Sequence, residues 1–471
     1  MVGIMGGARG GTRTGPVEGR AAAGAVPAAT TDPASASDLV AHLYRRAGFG
    51  ALPDQLSAAT AAGYEATAAS LVAGLGADDS GADAVATPTF STPVPAAEQE
   101  GMDLASRRSL SAQLHREFVE FTTWWVGRML ATSNPLKEKL TFLLHGQFPT
   151  AISKVRYAAY MYRQNQLFRT QGSGDFGQLT QAVATDPAML IWLDANSNKA
   201  ADPNENFARE LMERFTMGVG TFTQADVRAA AYCFTGWRLN PRTGSFSVAA
   251  RQHSTQPQEF LGVGGVDSGQ EVIDLVTQSS ASEHFVPSRF WSFLAYPVTP
   301  ADPVVADLAP GYAADHDIQN LLAAIFGHPQ FTQSRSLQGL VKQPTEYVVG
   351  ALRALGVAPA DLGQPAALLQ AFAGMGQVLF DPPSVGGWPQ NSYWLSASAA
   401  LARWEFAHRL ARRADISVVS DASRTDRVDA AAALLTVPRW SAATAGALQR
   451  AAGDPPTLVT LALVSPEFVS N

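Results

Sequence analysis

The sequence is poor in cysteine, in long apolar runs and in basic charge. Its 471 residues include one cysteine, Cys233, so neither an intrachain disulfide nor a cysteine-rich metal site is available. No uninterrupted apolar stretch approaches the roughly 20 residues that a membrane-spanning helix needs, so no span is predicted. The 34 basic residues are outnumbered by 41 acidic ones. This balance argues against nucleic acid as a partner, because that partner requires a basic face.

Several common catalytic motifs are missing as well. The sequence has no Gly-x-Ser-x-Gly elbow, no phosphate-binding loop, no dinucleotide fingerprint and no His-Glu-x-x-His zinc pair. A single Glu-x-x-His occurs, Glu405 to His408, whereas a carboxylate di-iron bundle needs two. No cofactor is therefore predicted. A site that binds a divalent metal through oxygen ligands is kept as an alternative hypothesis.

Apolar side chains are abundant, at 46% of the chain, which is enough to build a large core. In residues 107–131 they recur every three or four positions, the spacing of one helical face. Strand signals are sparse. The two best ones, at 245–250 and 259–263, predict a small hairpin. The predicted fold is mainly α, a multi-helix globular bundle with a small β-hairpin insertion.

Composition divides the chain into four predicted segments. Residues 1–36 are rich in Gly, Ala and Pro and predict a disordered tail. This tail carries no clear signal peptide, because Gly and Pro interrupt the continuous hydrophobic stretch that such a signal requires. A helical segment is predicted over 37–75, a linker or long loop over 76–105, and the main helical domain over 106–471.

The most informative segment is a helix predicted over 203–217. At about 100° per residue, its charged and amide side chains share one face; they are Glu205, Asn206, Arg209, Glu210 and Glu213. Side chains three or four apart are close enough for Glu210 and Glu213 to raise one another's pKa toward that of a useful acid. The same spacing also fits ordinary ion pairs of Glu205 and Glu213 with Arg209, on a solvated face. The periodicity alone favours this second interpretation.

Other candidate residues lie at helix ends and in loops. His145 ends a helix predicted over 136–145, where the helix dipole favours a protonated ring. It is either an acid/base or metal-ligating residue or a plain helix cap. His253 lies in a polar run suited to ligand contact or to simple exposure. Trp237 and Trp388 each follow a glycine, and each could stack a sugar or fill the core.

Nine short segments occur in a recognisable order: His42–Gly50, Asn134–Lys139, His145–Phe148, Asp186–Leu190, Trp192–Asp194, Asn204–Glu213, Thr235–Arg238, Lys342–Tyr347 and Gly386–Pro389. In this order they resemble a large bacterial family, domain of unknown function 1800, over roughly residues 38–470. Leu144 and Gln147 depart from the pattern, which more often has Trp and a further His or Asn there. If that His is a ligand in relatives, the resemblance implies an altered or absent metal site here.

The family resemblance carries no established reaction. Many relatives look exported and are encoded beside another uncharacterised exported family, which implies an envelope or extracellular location and a partner protein encoded nearby. The resemblance also adds weight to a functional site on 205–213. A purely solvated face would not need Asn206, Arg209 and Glu210 as a recognisable block.

The leading hypothesis is an acid/base hydrolase or lyase acting on a glycan or another envelope polymer. Glu205, Glu210, Glu213 and His145 are its expected catalytic residues. Its expected substrate contacts are Asn206, Arg209, Asp194, Trp237, Trp388 and His253. In a variant, the same carboxylates and His145 bind a divalent cation.

The alternative is a non-catalytic helical binding or scaffold module of the envelope. In that hypothesis the polar helix face is a structural ion-pair network and the tryptophans belong to the core. Burial discriminates between the two hypotheses. Acidic side chains that line an open cavity together with His145 favour the enzyme, and complete pairing away from any cavity favours the module.

Overall fold

The computed structural model describes residues 34–471, so the predicted tail lies outside the described residues except for its last three positions. Residues 35–471 form one unit with a continuous hydrophobic cluster. Over the described residues the fold is 62% helical with two small antiparallel sheets, which confirms the predicted mainly α class. Within the described range, no helix combines the length and apolarity that crossing a bilayer requires.

The α-helices follow one another with short connections. In the part of the chain that the structure describes, they are α1 Ala36–Arg46, α2 Pro53–Ala62, α3 Tyr64–Ala73, α4 Ser80–Asp83, α5 Ala96–Glu100, α6 Leu104–Ala131, α7 Pro135–Gln147, α8 Ile152–Val155, α9 Ala158–Gln171, α10 Phe176–Ala184, α11 Pro187–Trp192, α12 Asn206–Glu210, α13 Gln224–Cys233, α14 Gly269–Thr277, α15 Ser280–Leu294, α16 Pro303–Asp315, α17 Ile318–Gly327, α18 Pro344–Ala354, α19 Pro365–Met375, α20 Ala397–Ala411, α21 Ser417–Ser420, α22 Arg427–Leu434, α23 Ala442–Arg450, α24 Pro455–Leu463 and α25 Pro466–Val469.

Local chemistry in the sequence explains where many helices begin. Ser35 caps α1 and Ser268 caps α14, each in a reciprocal capping box that satisfies free amide groups of the first turn. The helix predicted over 107–131 is α6, which begins three residues earlier. The pattern missed α16, because Pro310 and Gly311 interrupt its interior.

The two sheets are separate hairpins. Strand β1 Trp237–Leu239 pairs with β2 Phe246–Val248, and β3 Gln258–Phe260 pairs with β4 Val263–Val266. The predicted hairpin between 245–250 and 259–263 is therefore wrong. Leu261 and Gly262 both have positive φ angles and make the tight turn between β3 and β4. Leucine is an unusual residue in that turn, so the sequence did not mark it.

The segment predicted as a linker or long loop, 76–105, contains α4 and α5 and is attached to α6. Asp83 Oδ1 lies 2.8 Å from Arg128 Nη2. The backbone amide of Ser91 donates to Glu117 Oε1 at 3.1 Å. Residues on α4 and on the stretch between α4 and α5 thus have fixed partners.

A buried ion-pair cluster joins α6, α7 and α9. Glu138 on α7 lies 3.1 Å from Arg128 Nε and 2.9 Å from Arg169 Nε, and its second oxygen accepts from Trp125 Nε1 at 2.9 Å. Burial alone would raise the pKa of Glu138, but the two guanidinium groups outweigh it and hold that pKa below the usual 4.5. The cluster fixes α7, whose C-terminal end carries His145.

Candidate functional site

The helix predicted over 203–217 consists of two different helical segments. Asn204 Oδ1 accepts from the amide of Asn206 at 2.9 Å, so α12 begins at Asn206. From Leu211 to Thr216 the chain continues as a π-helix. Such a widened turn is rare and is frequently found at functional sites.

The N-terminal half of the polar face is internally paired. Glu205 Oε2 accepts from Arg209 Nη2 at 2.9 Å and from Gln224 Nε2 at 2.8 Å. Glu205 Oε1 lies 3.5 Å from Arg228 Nε. Because Gln224 and Arg228 belong to α13, these contacts connect α12 to α13; we call Glu205, Arg209, Glu213, Gln224 and Arg228 the ion-pair brace.

The C-terminal half of the face is paired more loosely. Arg209 lies 3.7 Å from Glu213, and Arg214 lies 3.8 Å from Glu210. Both pairs reach from α12 into the π-helical turn. Glu210 Oε2 is shielded from water and has no hydrogen-bond partner among the described residues. The pKa of Glu210 is raised, mainly by burial, with a smaller contribution from Glu213 and opposition from Arg214.

His145 lies in an aromatic enclosure, apart from the polar face. Its ring centroid is 5.8 Å from that of Trp125 and 5.1 Å from those of Phe380 and Trp388. Burial lowers the pKa of His145 to about 3. The prediction of a protonated ring is wrong, because desolvation outweighs the helix dipole. Among residues 34–471, no hydrogen bond or ion pair joins His145 to the carboxylates of 205–213.

The burial of His145 predicts a pH-dependent stability. The unfolded histidine binds a proton below about pH 6.5, whereas the folded one does so only near 3, so stability falls as the pH drops through 6.5. Between pH 7.5 and 5, the protonation of unfolded His145 should lower the wild type's free energy of unfolding by about 2 kcal/mol. We expect His145→Phe to abolish this loss. Urea unfolding at both pH values measures it, with His115→Phe, on the exposed side of α6, as control. An identical pH dependence in wild type and His145→Phe would contradict the prediction.

Two predicted substrate contacts, Asp194 in the loop after α11 and Asn206 at the start of α12, have partners within the chain. Asp194 Oδ2 lies 2.7 Å from Lys154 Nζ. The side-chain amide of Asn206 donates to the carbonyl of Leu193 at 3.4 Å. The Asp194 contact therefore holds the loop after α11 against α8, and the Asn206 contact holds it against α12.

Trp237 and His253, also predicted to contact substrate, are engaged internally too. The Trp237 ring is 5% exposed and packs edge-on against Phe234 at 4.9 Å between centroids. The two ring nitrogens of His253 lie 2.8 Å from the carbonyl of Thr235 and 3.2 Å from that of Asp267. Trp237 fills the core between α13 and the first hairpin, so a sugar has no access to its face.

A small cleft lies at the C-terminal end of α7. Its lining residues are Phe142, Leu143, Gly146, Gln147, Arg289, Phe293, Gln343, Trp388 and Gln390. The cleft encloses about 20 Å³, room for one water molecule or one small polar group. We call it the Arg289 cleft. Trp388 is the one predicted site residue in its lining, and His145 lies behind that indole.

Gly387 allows the Trp388 loop to approach α7. Its φ angle is +75°, and a Cβ built there would lie 2.7 Å from the carbonyl oxygen of Gly146. Only glycine adopts this backbone conformation at such a close approach without strain. The glycine before the tryptophan thus places the indole at the cleft.

Arg289 and Gln147 form the polar side of the cleft. Arg289 Nε donates to Gln147 Oε1 at 3.0 Å, and Gln147 Nε2 donates to the carbonyl of Phe215 at 2.8 Å. The π-helical turn is thereby connected to the cleft. Sequence reasoning noted Gln147 only as a departure and missed Arg289 entirely, because the two are 142 positions apart.

A larger hollow of about 500 Å³ lies between α2, α3 and the start of α7. Neither this hollow nor the Arg289 cleft is lined by a residue of 205–213. Across residues 34–471, no group of three or more His, Cys, Asp or Glu side chains is arranged to hold a metal ion. The divalent cation therefore stays a hypothesis without an assembled ligand set.

A family model described as "Protein of unknown function (DUF1800)" matches residues 42–470. The chain belongs to this family. Comparisons with curated proteins and with solved structures give no match. Three of the segments that carry the DUF1800 resemblance meet at the Arg289 cleft: Gly146 and Gln147 come from one, Gln343 from another, and Trp388 from a third.

Proposed function

We propose that this DUF1800 protein is a non-catalytic helical module of the cell envelope that binds an envelope polymer. In this proposal the polar face of 205–213 is structural. The observation that supports it most is that Glu205, Arg209 and Glu213 are paired with one another and line neither hollow. The envelope setting is carried over from the resemblance described above.

The energetics of the ion-pair brace fit a structural role. Its Glu205–Arg209 pair is about one-third exposed on both sides. Pairs of this kind contribute a few tenths of a kcal/mol each. A general acid or base must instead lie within hydrogen-bond reach of a bound ligand. Glu205 and Glu213 are both paired with Arg209, and Glu205 also contacts α13. They are therefore better suited to fixing α12 against α13 than to transferring a proton.

The Arg289 cleft is the better candidate for ligand contact. It combines the indole of Trp388 with side-chain amides of Gln343 and Gln390 and with one guanidinium. An aromatic surface flanked by hydrogen-bonding groups is typical of small ligand sites. A cleft of about 20 Å³ holds one group of a polymer rather than a whole repeat unit.

Retention on immobilised polysaccharides tests this proposal. We expect the triple variant Glu205→Gln, Glu210→Gln, Glu213→Gln to be retained as the wild type is. Its free energy of unfolding should fall by about 1 kcal/mol, the sum of the lost pairs. The matched control is Glu65→Gln, Glu120→Gln, Glu405→Gln, which removes three exposed charges. Loss of retention in the first variant but not in the control would contradict the proposal.

One observation favours an enzyme as the second candidate. Glu210 has a raised pKa, and within residues 34–471 its shielded oxygen lacks a hydrogen-bond partner, as expected for a general acid. In this candidate Glu210 donates a proton to a leaving oxygen of a glycan in a hydrolase or lyase reaction. It requires that Arg214 move aside, because that guanidinium lies 3.8 Å from the carboxylate.

A further inference from the structure

We propose that the Arg289 cleft is a carboxylate-binding site and that Arg289 is the residue that holds the carboxylate. The polymeric nature of the ligand rests on the proposed function. The chemical class inferred here is an acidic glycan whose uronate carboxyl group enters the cleft.

The charges around the cleft carry this inference. Within residues 34–471, no Asp or Glu forms an ion pair with Arg289, and no acidic residue lines the cleft. The nearby Arg214 adds positive charge, although Glu210 lies 3.8 Å from it. Burial, and secondly Arg214, lower the pKa of Arg289, so the charged guanidinium lacks compensation. A half-buried, uncompensated cation favours an anionic ligand.

The orientation of the guanidinium favours a planar anion. Arg289 Nε is occupied by Gln147 Oε1, and the Gln147 amide is itself fixed by the carbonyl of Phe215. In the described part of the chain, the two terminal nitrogens of Arg289 have no hydrogen-bond partner. Two parallel N–H groups on one guanidinium edge match the two oxygens of a carboxylate. One uncompensated positive charge also matches a carboxylate better than a doubly charged phosphate.

The remaining lining residues favour a sugar over a peptide terminus. The carbonyl of the Gln343 side chain accepts from Gln377 Nε2 at 2.7 Å, which leaves the Gln343 amino group as a donor. That amino group and the Gln390 amide suit hydroxyl groups. The indole of Trp388 is 9% exposed, so it offers the sugar an apolar edge rather than a stacking face.

Titration of the full chain with small probes tests the site, with tryptophan fluorescence and calorimetry as readouts. The probes are glucuronate, glucose, acetate, inorganic phosphate and N-acetylalanine. We expect glucuronate to bind most tightly of the five. Arg289→Gln should weaken it roughly 10- to 100-fold, the effect of losing a charge-assisted hydrogen-bond pair. Arg289→Lys keeps the charge but lacks the planar pair of donors. Its affinity for glucuronate should lie between those of the wild type and Arg289→Gln.

Arg251→Gln is the matched control, because Arg251 is exposed on a loop outside the cleft; it should bind glucuronate as the wild type does. Tighter binding of phosphate than of glucuronate would overturn the carboxylate assignment. N-acetylalanine binding as tightly as glucuronate would overturn the glycan assignment. Unchanged glucuronate binding by Arg289→Gln would overturn the role of Arg289.

The two proposals fail in distinguishable ways. Retention on polysaccharides without any glucuronate binding would remove the carboxylate site and leave the binding module standing. Arg289-dependent glucuronate binding without retention on any polysaccharide would support the site and contradict the polymer-binding module.

Discussion

Glu138→Gln should lower the free energy of unfolding by about 3–5 kcal/mol, because it removes the single carboxylate shared by two buried arginines. Arg169 would lose both of its contacts to a charged group, whereas Arg128 would keep Asp83 at 2.8 Å. The glutamine is nearly isosteric, so the loss reflects charge rather than volume. Urea unfolding at pH 7 measures it.

The pH dependence of this difference provides a check on the cause. Since the folded-state pKa of Glu138 lies below 4.5, its stabilising effect is complete above that pH and is lost as the pH falls through the folded value. The difference in free energy of unfolding between the wild type and Glu138→Gln should therefore become smaller in acid. Glu120→Gln, exposed on α6, should change stability by less than about 0.5 kcal/mol. An equally small loss of stability in Glu138→Gln would show that the buried ion-pair cluster is not needed for stability.

Gly387→Ala is expected to be the second largest perturbation, at about 2–4 kcal/mol, because it combines a strained backbone with an overlap. Its Cβ would lie 2.7 Å from the Gly146 carbonyl, at a φ angle of +75°. The Trp388 loop must then move away from α7, and the Arg289 cleft must widen. We expect a lower melting temperature together with weaker glucuronate binding.

The neighbouring glycine supplies the matched control for this substitution. In the part of the chain that the structure describes, a Cβ at Gly386 would meet only Ser384 Oγ at 3.5 Å, an ordinary contact, and the φ angle of Gly386 is not in the left-handed region. Gly386→Ala should therefore leave both melting temperature and glucuronate binding near wild-type values. Equal effects of the two substitutions would argue against the close approach as the cause.

Helices were predictable from the sequence where local rules determine them. The apolar spacing in 107–131 is a property of neighbouring residues, and α6 follows from it. The hairpins were not predictable, since Leu261 in a tight turn carries no turn signal. Likewise, no local pattern marks the π-helical turn from Leu211 to Thr216.

The candidate site was predicted less well than the fold, and the reason is distance along the chain. The pairing of Arg209 with Glu205 depends on a four-residue spacing and was foreseeable as the structural interpretation. The Arg289–Gln147 contact joins two helices 142 positions apart, and a sequence pattern carries no information about it. His145 was expected to be charged because it lies at a helix end. The aromatic side chains that desolvate it, Phe380 among them, come from distant segments and leave no local pattern in the sequence.

The most direct measurement of the central claim is product release from a polysaccharide that the protein retains. Wild type, Glu210→Gln and Arg289→Gln are incubated with the same uronate-containing polymer, while retained protein and newly formed reducing ends are quantified together. We expect no release above buffer for any of them, equal retention of wild type and Glu210→Gln, and reduced retention of Arg289→Gln. Reducing ends formed by the wild type and lost in Glu210→Gln would contradict a structural role for the polar helix face and would establish the enzyme instead.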